Sequence, residues 1–153
     1  MTKGTPRGSS PRRAARVAKA EQPAASTQHE KPLFCFERTL RNGDERWTYT
    51  FTAEDALELL GFISEMARLT WAEIERQQTG GQNRHRKHHD QPVETLCKEA
   101  QDDLSKAKLG EIFGDTIFRF RLSGEKRLWG FREECTFHVV LWDPAHAVCP
   151  VDQ

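Results

Sequence analysis

The chain has 153 residues, a length that favours one domain, and 30% of them are charged against 37% hydrophobic. It has no run of 18 apolar residues, and its first residues lack the apolar segment of a secretory signal, so we expect no membrane span and a cytoplasmic protein. The 23 basic and 23 acidic residues cancel, and the four cysteines form no C-x-x-C pair, which favours reduced thiols.

Residues 1–31 differ in composition from the rest of the chain. Up to Glu30 they contain no aromatic residue, leucine or isoleucine, so they bury too little apolar surface to offset the entropy of ordering. The first 30 residues hold six basic and two acidic residues, which leaves 17 basic and 21 acidic in the remainder. We therefore expect a disordered basic arm, residues 1–31, and a single domain, residues 32–153. The arm is either a weak tether to polyanions or a solubilising tail.

Two strands and two helices are predicted in the first half of the domain. Residues 33–39 and 45–51 have the composition of strands, and the turn signal Asn42-Gly43 between them favours a hairpin. Capping-box spacing predicts a helix start at two threonines, each with an acidic residue three positions later: Thr52 with Asp55, and Thr70 with Glu73.

The first of these helices has two apolar stripes. One stripe comprises Ala56, Leu57, Leu60, Ile63 and Ala67, and the other comprises Leu59, Phe62 and Met66. Two stripes at helical spacing predict a helix that is buried on more than one side.

The second half begins with a loop at residues 79–91, TGGQNRHRKHHDQ, which has no periodicity. A third helix is predicted from Pro92 to Gly110, followed by three strands, TIFRFRLS, KRLWGFRE and TFHVVLWD. The element order β-β-α-α-α-β-β-β predicts an α+β fold, in which a mostly antiparallel sheet of about five strands has helices packed on one face.

The last three strands carry a candidate nucleic-acid surface. If Phe118, Phe120, Trp129 and Phe131 share the helix-covered face, the strand period of two places Arg119, Arg121, Arg132, His138 and Trp142 on the opposite one. Guanidinium groups pair with phosphate, and an indole offers a stacking platform for a base. The alternative is a solvated sheet face whose arginines pair with nearby glutamates. A slip of one residue in this assignment would reverse the faces.

The loop at residues 79–91 contains the densest run of basic residues. Arg84, Arg86 and Lys87 are candidates for phosphate contacts, and the alternative is an ordinary solvated loop. His85, His88 and His89 have short spacings but no cysteine pair beside them, which is a weak metal signal, so we assign no metal site.

Two histidines near the C-terminus are candidates for acid–base chemistry. His138 and His146 carry imidazoles, which titrate near neutrality, and Asp143 stands three residues before His146 and could orient its ring. Together with the arginines they contain the group types that metal-independent RNA cleavage requires. The alternative is two histidines with purely local roles. No P-loop, G-x-G-x-x-G, G-x-S-x-G or H-E-x-x-H motif is present, and we expect no cofactor.

The C-terminal segment contains R-x-S-G, then R-x-W-G-F-R, then W-D-P-x-H. This pattern resembles the C-terminal part of a family of small uncharacterised bacterial proteins, a resemblance that brings no established function. More distantly, the segment is similar to RelE/ParE-like toxins, small folds whose helices pack on an antiparallel sheet with arginine-bearing strands. That similarity implies either cleavage of messenger RNA on the ribosome or action on gyrase.

These observations favour two functional hypotheses. The first is a toxin-like RNA-binding protein, for which metal-independent RNA cleavage is a candidate activity. Its partners would be RNA or the ribosome and an antitoxin-like protein. The second is a non-catalytic module that binds protein or nucleic acid through the arm and the His-rich loop.

Overall fold

A computed structural model describes residues 27–48, 51–82 and 84–150. In chain order the elements of that part are β1 (Leu33–Cys35), α1 (Glu45–Thr48), α2 (Ala53–Met66), α3 (Trp71–Arg76), β2 (His89–Pro92), a 3-10 turn (Val93–Thr95), α4 (Lys98–Lys106), α5 (Leu109–Phe113), β3 (Thr116–Arg121), β4 (Arg127–Glu133) and β5 (Thr136–Asp143). The predicted α+β class is confirmed.

The five strands form one sheet in the order β1-β5-β4-β3-β2. The predicted three-stranded meander, β3 to β5, forms its antiparallel centre. β2 pairs antiparallel with β3 at one edge, and β1 pairs parallel with β5 at the other. Because β1 and β2 occupy opposite edges, the two ends of the sheet present different surfaces to solvent.

Helices cover both faces of this sheet, where the sequence predicted one covered face. On the α2/α3 face the buried residues are Phe118, Phe120, Leu128, Phe137 and Val139 from the strands, with Leu59, Met66, Trp71 and Ile74 from the helices. On the α4/α5 face they are Ile117, Trp129, Phe131, Val140 and Leu141, with Ala100, Leu104 and Leu109. The sheet is therefore an apolar layer between two helical layers, and its centre offers little surface to a ligand.

The predicted hairpin at residues 33–51 is wrong. Glu45–Thr48 is a helical turn, and Tyr49 and Thr50 lie outside the described residues. Asp44 starts the turn, since its carboxylate accepts from the Arg46 N–H at 3.0 Å and its carbonyl accepts from the Thr48 hydroxyl at 2.7 Å. The buried Asp103 carboxylate then accepts from the Asp44 N–H and from the Trp47 indole, each at 2.9 Å. Asp103, which lies 56 residues from Trp47 in sequence, thus stabilises Glu45–Thr48 as a helical turn.

The fifth strand comes instead from the predicted loop. His89–Pro92 forms β2, and Pro92 stands at its last position on the sheet edge, where its missing N–H costs no ladder hydrogen bond. The third helix consequently begins at Lys98 and not at Pro92, after the 3-10 turn.

Both predicted capping boxes are confirmed. The Asp55 N–H donates to the Thr52 hydroxyl at 3.0 Å, and the Thr52 N–H donates back to the Asp55 carboxylate at 3.3 Å. Thr70 and Glu73 form the same reciprocal pair. These bonds satisfy amide groups that the first helical turn leaves without partners, so α2 and α3 start where the sequence indicates.

Gly130 sits at an irregularity between the two central strands. Trp129 pairs with Leu141 while Gly130 pairs with Val139, so Val140 is an extra residue, a β-bulge on β5. A Cβ atom at Gly130 would lie 2.1 Å from the His138 carbonyl oxygen. Close packing of the two strands therefore requires glycine at this position.

Replacing Gly130 with alanine should lower the free energy of unfolding by about 1–3 kcal/mol, because the added methyl group overpacks the sheet centre. Urea denaturation measures this change. The matched control is Gly110→Ala, where an added Cβ meets nothing within 4 Å and helix propensity favours alanine. A Gly130→Ala protein as stable as wild type would contradict the packing described.

Candidate functional site

The single cationic and aromatic face predicted on the meander does not form. Arg119 pairs across strands with Trp129, and His138 pairs with Phe131, so both lie on the α4/α5 face. Arg121 shares that face by strand alternation. By contrast Arg132 and Trp142, the other two members of the set, pair with Phe137 and Leu128 on the α2/α3 face. The five residues therefore cannot contact one ligand.

Arg132 is a structural residue. Its guanidinium carbon lies 4.2 Å from the centre of the Trp71 ring, and Nη1 donates to the Glu75 carboxylate at 2.9 Å. Nη2 donates to the Thr27 hydroxyl at 3.0 Å and to the Gln28 side chain at 2.7 Å. The arginine thereby ties β4 to α3 and to the segment before β1. Although residues 1–31 were predicted to be disordered, 27–31 belong to the packed domain, and residues 1–26 lie outside the described part.

Three further predicted site residues are buried. Arg119 is 5% exposed and donates to the Lys87 carbonyl at 3.2 Å. Trp142 is 7% exposed and lies edge-on to Phe51, with ring centres 5.5 Å apart. Asp143 is fully buried. Its carboxylate accepts from the Trp129 indole at 3.3 Å and from the N–H groups of residues 147 and 148 at 2.8 and 3.0 Å. Asp143 thus holds the C-terminal segment on the α4/α5 face.

The predicted catalytic group is not assembled. His138 lies in the interior of β5, five residues from Asp143, which along a strand is about 16 Å. Its ring packs 4.8 Å from the Phe113 ring, and Nε2 lies 3.4 Å from the Glu133 carboxylate. His146 follows the strand in a turn, with a positive φ of 54°. His138 and Asp143 therefore stand at separate places along β5 and do not form the predicted pair around one phosphodiester.

The His-rich loop contains a short β-hairpin formed by residues 77–82 and 84–87, which we call the basic hairpin. Gln78 and Arg86 form an antiparallel bridge, the Thr79 N–H donates to the His85 carbonyl, and the Lys87 N–H donates to the Gln77 carbonyl, both at 2.8 Å. Gly80-Gly81 lies in the connection, and Gly81 has a φ of 92° that favours glycine. That glycine pair was the sequence signal for a hairpin.

Four cations at this hairpin have no partner in the part of the chain that the structure describes. Arg84 and Arg86 are exposed, while Lys87 and Arg121 are half-buried. Within the described residues none of these four side chains makes a salt bridge or a hydrogen bond, whereas Arg46, Lys126 and Arg132 are all paired. The Arg121 N–H donates to the His88 ring at 3.0 Å, so Arg121 lies at the base of the hairpin.

His88 is a neutral structural histidine. Its Nδ1 accepts from the Arg121 N–H, so the proton resides on Nε2, which donates to the Gln77 side chain at 3.1 Å. Burial first, and then the nearby charges of Lys87 and Arg119, together lower the pKa of His88 from 6.5 to about 3. The lowered pKa of His88 therefore reflects both the burial of the ring and the positive charges near it.

Two of the three histidines of this segment have partners within the protein. His88 is occupied by Gln77 and Arg121, and His89 Nδ1 contacts the Asp90 carbonyl at 3.0 Å. Among the residues that the structure describes, no group of three histidine, cysteine, aspartate or glutamate side chains is placed to hold a metal ion.

Comparisons with known proteins leave the family assignment open. No protein-family model matches the chain, and no match was found among curated proteins or solved structures. The resemblance to small bacterial proteins and the distant similarity to RelE/ParE-like toxins therefore stay predictions. In the described ranges no helix is long and apolar enough to cross a membrane.

Replacing Arg132 with lysine should lower the free energy of unfolding by about 1–3 kcal/mol, because lysine keeps the charge but loses the planar group that stacks on Trp71 and donates to several acceptors at once. Urea denaturation measures the change, and Arg38→Lys, at an exposed position, is the control. Equal stability of the two variants would show that Arg132 is not a structural residue.

The stability of the protein should fall on acidification through His88. In the unfolded chain this imidazole gains its proton below about pH 6.5, whereas in the folded chain its pKa of about 3 keeps it neutral. The unfolded state therefore binds more protons in this window, and the fall in stability approaches about 1.4 kcal/mol for each pH unit.

The His88→Gln variant, which removes the titrating ring, should lose less stability than wild type between pH 7 and pH 4.5, a range that lies above the folded-state pKa and spans the unfolded one. His85→Gln, on the exposed part of the hairpin, is the control. If His88→Gln loses as much stability as wild type in urea titrations, His88 does not contribute to acid unfolding.

Proposed function

We propose that the protein is a non-catalytic RNA-binding module that contacts phosphates through the basic hairpin and Arg121. The observation that supports this proposal is a set of four cations at one edge of the sheet, Arg84, Arg86, Lys87 and Arg121, which have no partner among the described residues. Such guanidinium and ammonium groups are available for phosphate without first breaking an internal salt bridge.

The position of the hairpin also supports an extended polyanion as the ligand. It leads directly into β2, the outermost strand, so its cations lie along a sheet edge and not in a closed pocket. Gln28 and His29 line one shallow depression together with Arg76 and Arg86. Residues 1–26 carry six basic residues and join the described chain at Thr27, which directly precedes Gln28 and His29 of this depression.

We infer no catalysis because the candidate catalytic groups have structural partners in the fold. A metal-independent ribonuclease needs a base, an acid and a cation around one phosphate. Here Asp143 is buried in hydrogen bonds to the main chain, Arg132 is bound to Glu75, and His138 lies beside Phe113. The ribosome would be one source of the RNA, whereas an antitoxin-like partner belongs to the toxin hypothesis alone.

The triple variant Arg84→Ala/Arg86→Ala/Lys87→Ala should bind single-stranded RNA more weakly than wild type, because it removes three of the cations that contact phosphate. The measurement is fluorescence anisotropy with a labelled oligouridine of about 20 nucleotides over a series of salt concentrations. The slope of log affinity against log salt should become shallower by about 0.7 for each phosphate contact that the variant can no longer make. Arg121→Ala should weaken binding in the same direction.

The control is Arg38→Ala/Arg41→Ala/Lys98→Ala, which removes three exposed charges elsewhere on the domain. It should retain most of the affinity, and the RNA should remain intact on a denaturing gel in every sample. An equal fall in affinity for both triple variants would indicate a non-specific charge effect, and unchanged binding by the hairpin variant would rule out the hairpin as the contact.

A further inference from the structure

The surface of α2 contains a large apolar region that nothing in the described chain covers. Leu57 is 73% exposed and Leu60 is 62% exposed, although the sequence predicted that both would be buried. Phe36 and Phe51, which line a common groove with Leu60, are 50% and 47% exposed. Monomeric proteins seldom leave several large apolar side chains together in water, so this surface is a candidate for an interface.

A groove extends this apolar region toward the sheet. It has a volume of about 380 Å³ and lies between α2, the segment after β1 and β5. Its walls include Leu59 and Ile63 of α2, Trp47 of α1, and Val139 and Trp142 of β5. The region is therefore a concave apolar surface with Leu60 on its rim.

The exposed side of α2 has the spacing of a helix–helix contact. Small and apolar residues recur at intervals of four and three, Ala53, Leu57, Leu60, Ser64 and Ala67. This is the heptad spacing of a coiled-coil seam. The Ala67 N–H still donates to the Ile63 carbonyl at 2.8 Å, so the helical geometry continues to the last member.

Gly61 lies next to this seam and has no internal role in packing. An added Cβ at Gly61 would meet nothing within 4 Å, and glycine inside a helix costs about 1 kcal/mol relative to alanine. Because small residues allow helices to approach closely, a second helix against α2 would give this position a function.

The charges beside the seam indicate which helix that is. Glu54 and Arg68 stand seven residues on either side of Gly61, on the same flank of the seam. Both are exposed, and within the described residues neither makes a salt bridge, whereas Asp55 and Glu58 on the neighbouring side are paired with Lys126. An antiparallel copy of α2 would bring each Glu54 to Arg68 of the second copy.

The same register also matches large and small side chains along the seam. It places each Leu60 against Ser64 of the second copy and each Leu57 against Ala67, so that every large side chain meets a small one. Residues 1–26 are a poorer occupant, because they contain no aromatic residue, leucine or isoleucine. A self-complementary surface of this kind generates a closed twofold dimer.

We propose that the protein forms a homodimer through antiparallel packing of its two α2 helices, with Leu57 and Leu60 at the centre and reciprocal Glu54–Arg68 pairs at the two ends. The exposed phenylalanines Phe36 and Phe51 flank the helices and are covered with them. This proposal is independent of RNA binding, since none of these residues belongs to the basic hairpin.

Sedimentation velocity of the full, nucleic-acid-free chain tests the dimer at concentrations up to about 200 μM. Wild type should sediment with twice the 17.6 kDa mass of one chain. The variant Leu60→Asp should be monomeric, and its circular dichroism and melting temperature should match wild type because Leu60 is exposed in the monomer. A monomeric wild type, or an unaffected Leu60→Asp, would overturn the proposal and leave the surface to a different partner.

Charge reversal tests the antiparallel arrangement. Glu54→Arg alone and Arg68→Glu alone should each weaken self-association by about tenfold or more, because each places like charges together at both ends. The double variant Glu54→Arg/Arg68→Glu should recover the wild-type constant to within about threefold. Glu111→Arg, an exposed reversal on α5, is the matched control and should have no effect. Single reversals without effect, or a double variant as weak as the singles, would overturn this arrangement.

Discussion

The sheet is covered by helices on both faces, and this constraint determines where a ligand can bind. A charged side chain on a central strand must find partners inside the protein, because water does not reach it and an uncompensated buried charge is costly. Arg132 meets that requirement with Glu75, Gln28 and the Trp71 ring. Asp143 meets it with two amide groups and an indole. These residues stabilise the fold for the same reason that they are unavailable to RNA.

The cations that lack a partner among the described residues lie at the β2 edge of the sheet, where their side chains reach solvent. The basic hairpin projects from this edge, and Arg121 lies at its base because the His88 ring accepts a hydrogen bond from the Arg121 main chain. His88 in turn requires Gln77, so one buried neutral imidazole joins both ends of the hairpin to β3. The charged surface thus depends on the neutral ring of His88. Because acid favours the protonated imidazole of the unfolded chain, acidification should lower the free energy of unfolding of the domain.

The two proposed surfaces share no residue, since one consists of exposed residues of α2 with Phe36 and Phe51 and the other of the basic hairpin with Arg121. A dimer through α2 would therefore use none of the hairpin cations. Two hairpins on one particle could engage one RNA together, and the second contact would then be effectively intramolecular. Weak phosphate contacts on each copy would in this way add up to useful affinity without any further site.

Local signals in the sequence predicted the α+β fold well, and long-range partners limited the rest. Thr52 and Thr70 were assigned correctly because a capping box is complete within four residues. The segment at Trp47 alternates like a strand, but Asp103, far away in sequence, holds it as a turn. The strand faces could not be assigned, since both faces are apolar and the bulge at Val140 changes the alternation before Trp142.

The most direct test of this account is nuclear magnetic resonance of the arginine Nε–H groups, recorded with and without single-stranded RNA. Arg132, whose Nε donates to the Glu134 carbonyl at 3.1 Å, should give a slowly exchanging signal that RNA leaves in place. Signals of Arg84, Arg86 and Arg121 should exchange fast in the free protein and shift or sharpen when RNA is added. A shift of Arg132 with the three others unchanged would contradict the division between structural and binding cations.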